Sequence, residues 1–443
     1  MNPAPPFKST LHWSQLLRNS KQLVKNPIPF HYKWFQKFGE TLKFRFFNGT
    51  KVFLTRDPEF ALHVLRKNHK NYYKSDVTSE GLGQYIGKGL LTLNGDAWKK
   101  DRRLLQPGFY KERIRKLFDG VIPQTITKVL RQIPQNTPTD IKPYMNQLAF
   151  EVVTHAMFEM KIEQHRLEEI RQIIDSVQEH FVKKIRQPQW NFWRYLTGVN
   201  SSIDKKVRRI RSIMDALVEE RIASETSQED LLDLMLNATY EDGSKMERGR
   251  IIDELIILIV AGHETTANAL CFLCYELGQN PQYLEKVKAE IQSLEGSTTP
   301  YEQLGQLPYA QAVVNETLRR YPPAWIVDRK ALAEDQIGAE WIPKDAFIAV
   351  SIYELHHHPD YWDNPMTFLP ERFLKPPPPV YIPFGAGPRM CIGNHFALFE
   401  MTEVLRQLAL HYTLTPITKT PNSLALITLQ PERLVICLNQ KDD

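Results

Sequence analysis

The sequence predicts a mainly α fold of the α+β kind, a large helical domain with small β-sheets near both ends. Three observations point to it. From about Phe109 to Gly278 the text is mostly helical, broken by polar stretches at 224–230 and 237–244. Within it, Glu247 to Leu277 lacks proline and ends at Gly278, enough for one helix on the order of 45 Å long. Short alternating apolar segments are found only near the start and after Pro322.

The elements follow in order. The first thirty residues are rich in Pro, Lys and Asn and read as an irregular lead-in, leaving 31–443 as a single domain. Leu42–Phe47 and Lys51–Thr55 flank Asn48-Gly49-Thr50, a hairpin signal. Asp57-Pro58 supplies an N-cap and a first-turn proline for a helix ending near Lys67. Asn280-Pro281 opens another helix, and a further one covers Tyr309 to Arg320. Beyond Pro322 come short strands and proline-rich loops, including Lys375 to Pro379; a helix follows Cys391. Leu424–Leu429 and Arg433–Leu438 read as closing strands, and no internal repeat is present.

Composition narrows the function. With 42% hydrophobic and 24% charged residues, the chain is neither disordered nor collagen-like. The net charge of +5 is too small to indicate nucleic-acid binding, but suits a local basic patch facing an acidic partner. Four cysteines argue against a disulfide scaffold and fit a reducing compartment. The amino terminus shows no signal-peptide core, and the longest apolar run, Leu255 to Gly262, is about eight residues, too short to span a bilayer. The expectation is a cytoplasmic, monomeric protein with no transmembrane anchor.

The densest chemical signal is Pro383 to Glu400, PFGAGPRMCIGNHFALFE. Cys391 stands just before a helix start, where free N–H groups and the helix dipole favour a thiolate. A thiolate is the ligand that haem iron or a soft metal takes. Gly387 and Gly393 suit a sharp turn or close contact with a flat object, and Arg389 is within reach of a carboxylate on it. The spacing Phe384-x-x-Gly387-x-Arg389-x-Cys391-x-Gly393 resembles the haem-binding signature of the cytochrome P450 superfamily at every defining position. The resemblance implies that Cys391 is the axial ligand, with Phe384 packed near its sulfur and Arg389 on a haem propionate. It also implies that the haem lies between the long central helix and the helix after the cysteine loop.

Three more matches follow the same order. Glu316 and Arg319, one helical turn apart, share a face and can pair. With Pro370-Glu371-Arg372-Phe373 downstream they resemble the family's Glu-x-x-Arg and PERF elements, which implies a buried Glu316–Arg319–Arg372 network bracing the cysteine loop. Ala261-Gly262-His263-Glu264-Thr265-Thr266 puts polar groups in the middle of an apolar helix, where threonine and glycine can widen the helix. It resembles the oxygen-activation segment: Thr265 would steady dioxygen, Glu264 would relay protons, and Ala261 and Gly262 would flank the cleft. Trp98-x-x-x-Arg102 places an indole N–H and a guanidinium on one helix face and resembles the family's propionate-binding pair, with Arg329 a further candidate for a propionate or for the surface.

Competing motifs fail on spacing. His263-Glu264 begins like a zinc-protease HExxH, but Ala267 stands where the second histidine belongs. Cys271-x-x-Cys274 lies on an apolar helix and reads as core, and the consecutive His356-His357-His358 cannot easily converge on one ion.

The resemblance implies a monooxygenase with haem b (iron protoporphyrin IX) and O2 as co-substrate, inserting one oxygen atom into a C–H or C=C bond of a large lipophilic molecule such as a fatty acid, carotenoid, terpenoid or steroid. No bound flavin is expected, so electrons would come from a ferredoxin or flavodoxin with its NAD(P)H reductase. Lys99, Lys100, Arg103, Lys111, Arg113, Arg115 and Lys116 offer such a partner a basic face, or form a solvated one. Family precedent places substrate against Leu82, Tyr85, Ile86, Leu90, Leu91, Phe181 and Ala261, and against the aromatics Trp190, Phe192, Trp193 and Tyr195. Two rivals are a peroxide-driven peroxygenase or isomerase on the same fold and a haem sensor without turnover; the Glu264–Thr265 pair favours the monooxygenase.

Overall fold

The computed structural model describes residues 7–11, 23, 26–46, 49–158, 164–187, 190–224, 230–294 and 299–441. Most of the expected lead-in, the hairpin residues Phe47 and Asn48, and 225–229 of the first polar break lie outside these. Two compact units form. The first combines Met1–Tyr73, Phe118–Ala149 and Glu264–Asp443; the second combines Lys74–Leu117 and Phe150–His263.

Every named strand belongs to the first unit. The twelve among the described residues are β1 (Thr41–Arg45), β2 (Lys51–Thr55), β3 (Tyr72–Tyr73), β4 (Thr139–Asp140), β5 (Ile326–Ala331), β6 (Asp335–Ile337), β7 (Glu340–Ile342), β8 (Phe347–Ser351), β9 (Tyr412–Pro416), β10 (Ser423–Ala425), β11 (Leu429–Pro431) and β12 (Val435–Gln440). The largest sheet runs β1-β2-β8-β5-β3, with β2 and β8 parallel and the other pairs antiparallel. The β1–β2 hairpin pairs Leu42 with Leu54 and Phe44 with Val52, as the alternating pattern predicts. Phe53, Val64, Leu65, Ile348, Val350 and Trp362 share one buried core beneath this sheet. Asp57 caps the helix Pro58–Leu62 by accepting the Phe60 N–H at 2.9 Å, and a π-type turn, His63–Lys67, completes the run to its expected end.

One closing strand differs from expectation. The segment read as a single strand, Leu424–Leu429, is a hairpin: β10 and β11 pair antiparallel around Leu426–Thr428. Alternation alone cannot distinguish a strand from two short arms joined by a turn.

The second unit is helical. It includes Gly95–Leu105, Gln164–Arg186 and Val199–Ala223. The long helix Arg248–Gln279 begins here and continues into the first unit. It is 32 residues long and apolar enough to cross a membrane by length and composition, although its longest unbroken apolar run is short. With 72% of its most apolar stretch buried, it has the exposure of a core helix.

Candidate active site

In the first unit, the chain from Ile382 to Asn394 is a tight loop ahead of the helix Asn394–His411. The Cys391 N–H donates to the Phe384 carbonyl at 3.0 Å, and Met390 N–H to Gly387 O at 3.0 Å, so the loop closes on itself around an exposed Cys391. Gly387 has φ +71, and a Cβ there would overlap the carbonyl oxygen of Leu65. Its glycine is therefore demanded by the chain's own π-type turn. Gly393, at φ −92, needs no glycine for its backbone; what it contributes is a bare surface.

Glu316, Arg319 and Arg372 come together in the first unit. Glu316 and Arg319 are both 0% exposed, paired at 2.6 and 2.8 Å, and Arg372 Nε lies 3.4 Å from Glu316 Oε1. Arg319 also donates to the carbonyls of His356, Pro365 and Thr367. His356 in turn accepts the Ile382 N–H on Nε2 at 3.0 Å, which links the network to the start of the cysteine loop. That bond needs a neutral ring, and burial beside Arg319 pushes the His356 pKa down to about 3. His357 bonds Tyr353 O and His358 bonds Glu40, so the three rings diverge.

Arg329, on β5, is buried at 5% exposure rather than lying at the surface. Among the described residues its guanidinium makes one hydrogen bond, to the adjacent Asp328 carbonyl at 2.7 Å, and no ion pair. Burial pushes its pKa down. A buried guanidinium that makes no ion pair among the described residues and, elsewhere in the same unit, an exposed thiol are groups that an iron porphyrin with carboxylate arms satisfies, so the residues present fit haem.

Between Glu254 and Cys274 the long helix is buried except along Leu258, Ala261, Gly262, Glu264 and Thr265, with Ala261 the most open. An exposed alanine among buried neighbours marks an interruption in the packing. Gly262 is needed for contact as well: a Cβ there would press on Val153. His263 faces the other way, 2% exposed, bonded to Ile259 O and edge-on to Phe150, with its pKa pushed down to about 4 by burial. Cys271 and Cys274 are fully buried, and burial pushes the Cys274 thiol up to about 12. No group of three or more His, Cys, Asp or Glu among the described residues is placed to hold a metal ion.

In the second unit, Trp98 is buried and Arg102 half-buried on Gly95–Leu105. Leu82, Tyr85, Ile86 and Phe181 are buried, and Tyr85 meets Phe181 edge-on at 6.2 Å; Leu90 and Leu91 are half-buried. Trp190, Phe192, Trp193 and Tyr195, expected to line a pocket, instead stand 52%, 66%, 56% and 73% exposed. Aromatic identity predicts burial only where another element covers it, and the helix Asn191–Leu196 buries none of its residues. The basic cluster is partly used up as well: Lys99, Lys100 and Arg103 pair with Asp96, Asp242 and Glu241.

Two features escape sequence reasoning. Lys88 N–H donates to Asp253 at 2.8 Å and Leu90 N–H to Glu254 at 2.9 Å, clasping Gly87–Leu90 to the long helix. Cβ atoms at Gly87 or Gly89 would overlap those carboxylates, so the Gly-Lys-Gly triplet was the available signal. The second is Thr428, which donates to Glu264 at 2.8 Å. A partner 164 residues away leaves no local trace.

These features define a thiolate-bearing loop, a braced scaffold and a polar break in a buried helix. The comparisons give them a family. Residues 3–438 match the cytochrome P450 family, and the chain belongs to it. Similar proteins include cyclooctat-9-en-7-ol 5-monooxygenase of Streptomyces melanosporofaciens, 30% identical over 91% of this chain and 89% of that protein. Cyclooctatin synthase of the same organism is 29% identical over 87% and 86%, and cytochrome P450 97B2, chloroplastic, of Glycine max is 28% identical over 92% and 81%. The protein is a cytochrome P450 monooxygenase with the mainly α fold of that family, using a haem-thiolate cofactor and O2.

Proposed function

We propose that this protein inserts one oxygen atom from O2 into a C–H or C=C bond of a large lipophilic substrate, with a terpenoid as the leading class. The observation that carries the reading is the exposed Cys391 thiol, held in a loop that the chain itself closes. Two relatives named for cyclooctat-9-en-7-ol and cyclooctatin support the substrate class. Residues 31–443 would act as one catalytic domain.

Haem b, bound through Cys391, supplies O2 activation, the thiolate favouring O–O cleavage. Phe384 would pack near the sulfur, Gly393 would leave the face beside it bare, Arg389, Arg329 and Arg102 would neutralise the propionates, and the Trp98 indole N–H would donate to one of them. Ala261 and Gly262 leave the helix face low. There Thr265 would hold dioxygen with its hydroxyl, and Glu264 would pass protons from solvent. Glu316, Arg319 and Arg372 take no part in chemistry; they would hold the segment that feeds the cysteine loop. Leu82, Tyr85, Ile86, Leu90, Phe181 and Ala261 would meet substrate. Electrons would come from a ferredoxin or flavodoxin with its NAD(P)H reductase, docking on basic residues such as Lys111, Arg115 and Lys116, which remain exposed.

The test is a pair of variants in the haem-loaded protein. Cys391→Ala is expected to lose the thiolate band of the reduced CO complex; an unchanged spectrum would refute the ligand. Thr265→Ala is expected to keep that band while sending electrons to hydrogen peroxide instead of product. Product driven by peroxide and not by NAD(P)H in the parent would favour the peroxygenase.

A further inference from the structure

Glu264 belongs to the open stripe of the long helix, and its Oε1 is bonded from outside that helix. Thr428 Oγ1 donates to Glu264 Oε1 at 2.8 Å, and Asn268 Nδ2 donates to that same Oγ1 at 3.1 Å. Asn268 lies one helical turn beyond Glu264, so the two side chains flank one spot on the helix surface. Thr428 is buried there at the turn between β10 and β11.

The turn is firmly anchored. Leu426 N–H donates to Thr428 O at 3.0 Å, Trp325 Nε1 donates to Leu426 O at 3.1 Å, and Leu429 N–H donates to Pro323 O at 2.9 Å. Ala425 and Leu429 share a buried cluster with Ile28, Phe272 and Trp325. Gln430 Nε2 reaches Glu264 Oε1 at 3.5 Å, a weaker second donor, and is itself steadied by Lys142, which donates to its Oε1 and to the Pro431 carbonyl.

Donor and acceptor roles then follow. A hydroxyl has one proton, an amide NH2 only donates, and an ionised carboxylate only accepts. The order is fixed as Asn268 to Thr428 to Glu264 Oε1. We infer that Thr428 is a positioning residue for proton delivery: the β10–β11 hairpin, acting through the Thr428 hydroxyl, fixes the orientation of the Glu264 carboxylate that takes up a proton and hands it on. One proton arrives at the carboxylate and one leaves; no electron moves, and the carboxylate is restored. The inference rests on the monooxygenase reading, to which it adds a residue from outside the helix.

Thr428→Val removes the hydroxyl at nearly constant volume, and Thr428→Ser keeps it. Both would be compared with the parent as haem-loaded full chains. The Glu264 carboxylate infrared band, identified by its loss in Glu264→Gln, is expected to shift in Thr428→Val and return in Thr428→Ser. Peroxide formed per electron pair is expected to rise about tenfold in Thr428→Val, the worth of one hydrogen bond to a charged group, and to fall back in Thr428→Ser. An infrared band unmoved by Thr428→Val, or a shift that serine does not reverse, would overturn the inference. So would faster hydrogen exchange of residues 423–431 in both variants, which would make Thr428 a prop for the hairpin alone. If the parent makes no product from NAD(P)H, the monooxygenase reading fails, and the infrared comparison still decides the clamp.

Discussion

Arg319 and Arg329 are both buried in the first unit, yet the chain treats them in opposite ways. Arg319 spends all five N–H donors, two on Glu316 and three on the carbonyls of His356, Pro365 and Thr367. Arg329 gives one hydrogen bond to its own neighbour's carbonyl, and burial pushes its pKa down. A guanidinium that the chain saturates belongs to the scaffold. One that the chain buries with no ion pair, only the neighbouring Asp328 charge in its favour, gains most from an anion that another molecule brings. The contrast separates a guanidinium that holds the fold from one that the proposed function assigns to a propionate.

The hardest blow to the saturated side is Glu316→Ala. It strands Arg319 and the adjacent Arg372 without their shared carboxylate, and breaking a buried pair in this way costs about 3–5 kcal/mol. Denaturant unfolding of Glu316→Ala should show that loss, together with a poor yield of haem-loaded protein. Parent-like stability would mean that the carbonyls alone satisfy both arginines, and the contrast would collapse.

Arg329→Met sharpens the other side. In haem-free protein the substitution removes a buried cation that has no ion pair, so the melting temperature should hold or rise, whereas Arg319→Met should lower it. In haem-loaded protein the order reverses in kind: Arg329→Met should release haem about tenfold faster, the equivalent of one charge-assisted hydrogen bond. Haem transfer to an acceptor protein measures the rate. If Arg329→Met destabilises the haem-free chain as much as Arg319→Met does, Arg329 is scaffold.

Legibility in the sequence divides along the same line. Glu316 and Arg319 sit one turn apart on a helix, and the cysteine loop packs its glycines, arginine and thiol into ten residues, so local spacing encodes both. The helix cap at Asp57 and the β1–β2 pairing are local in the same sense. Burial of Arg329, the hydrogen bond from Thr428 to Glu264 and the exposure of Trp190–Tyr195 depend on which distant element lands on them. Periodicity carries no record of that. The split of Leu424–Leu429 into two arms failed for a smaller reason: no glycine, asparagine or proline marks the turn at Leu426–Thr428.

The contrast extends to carboxylates, where the expected effect is smallest. Glu316 has both oxygens bonded. Glu254, in the second unit, accepts one backbone N–H from Leu90 on Oε1, and its Oε2 is buried without a hydrogen-bond partner. Burial, helped by the negative charges of Asp101 and Asp253 and opposed by the Leu90 N–H bond and the Arg250 charge, pushes its pKa up from 4.5 to about 8. The folded chain therefore keeps a proton that the unfolded chain loses above pH 4.5. This contribution is full below that value and is lost as pH rises to about 8, so stability falls through the window. Between pH 7 and 9 the loss should be about 1 kcal/mol. Glu254→Gln, which keeps the neutral shape, should flatten that part of the profile while changing little at neutral pH. The Leu90 amide, which Glu254 holds, should exchange faster at pH 9 in the parent, because a charged Glu254 is driven toward water and its clasp on Gly87–Leu90 loosens. Parallel melting profiles for parent and variant would show that Glu254 is ionised at neutral pH and that its second oxygen has a partner.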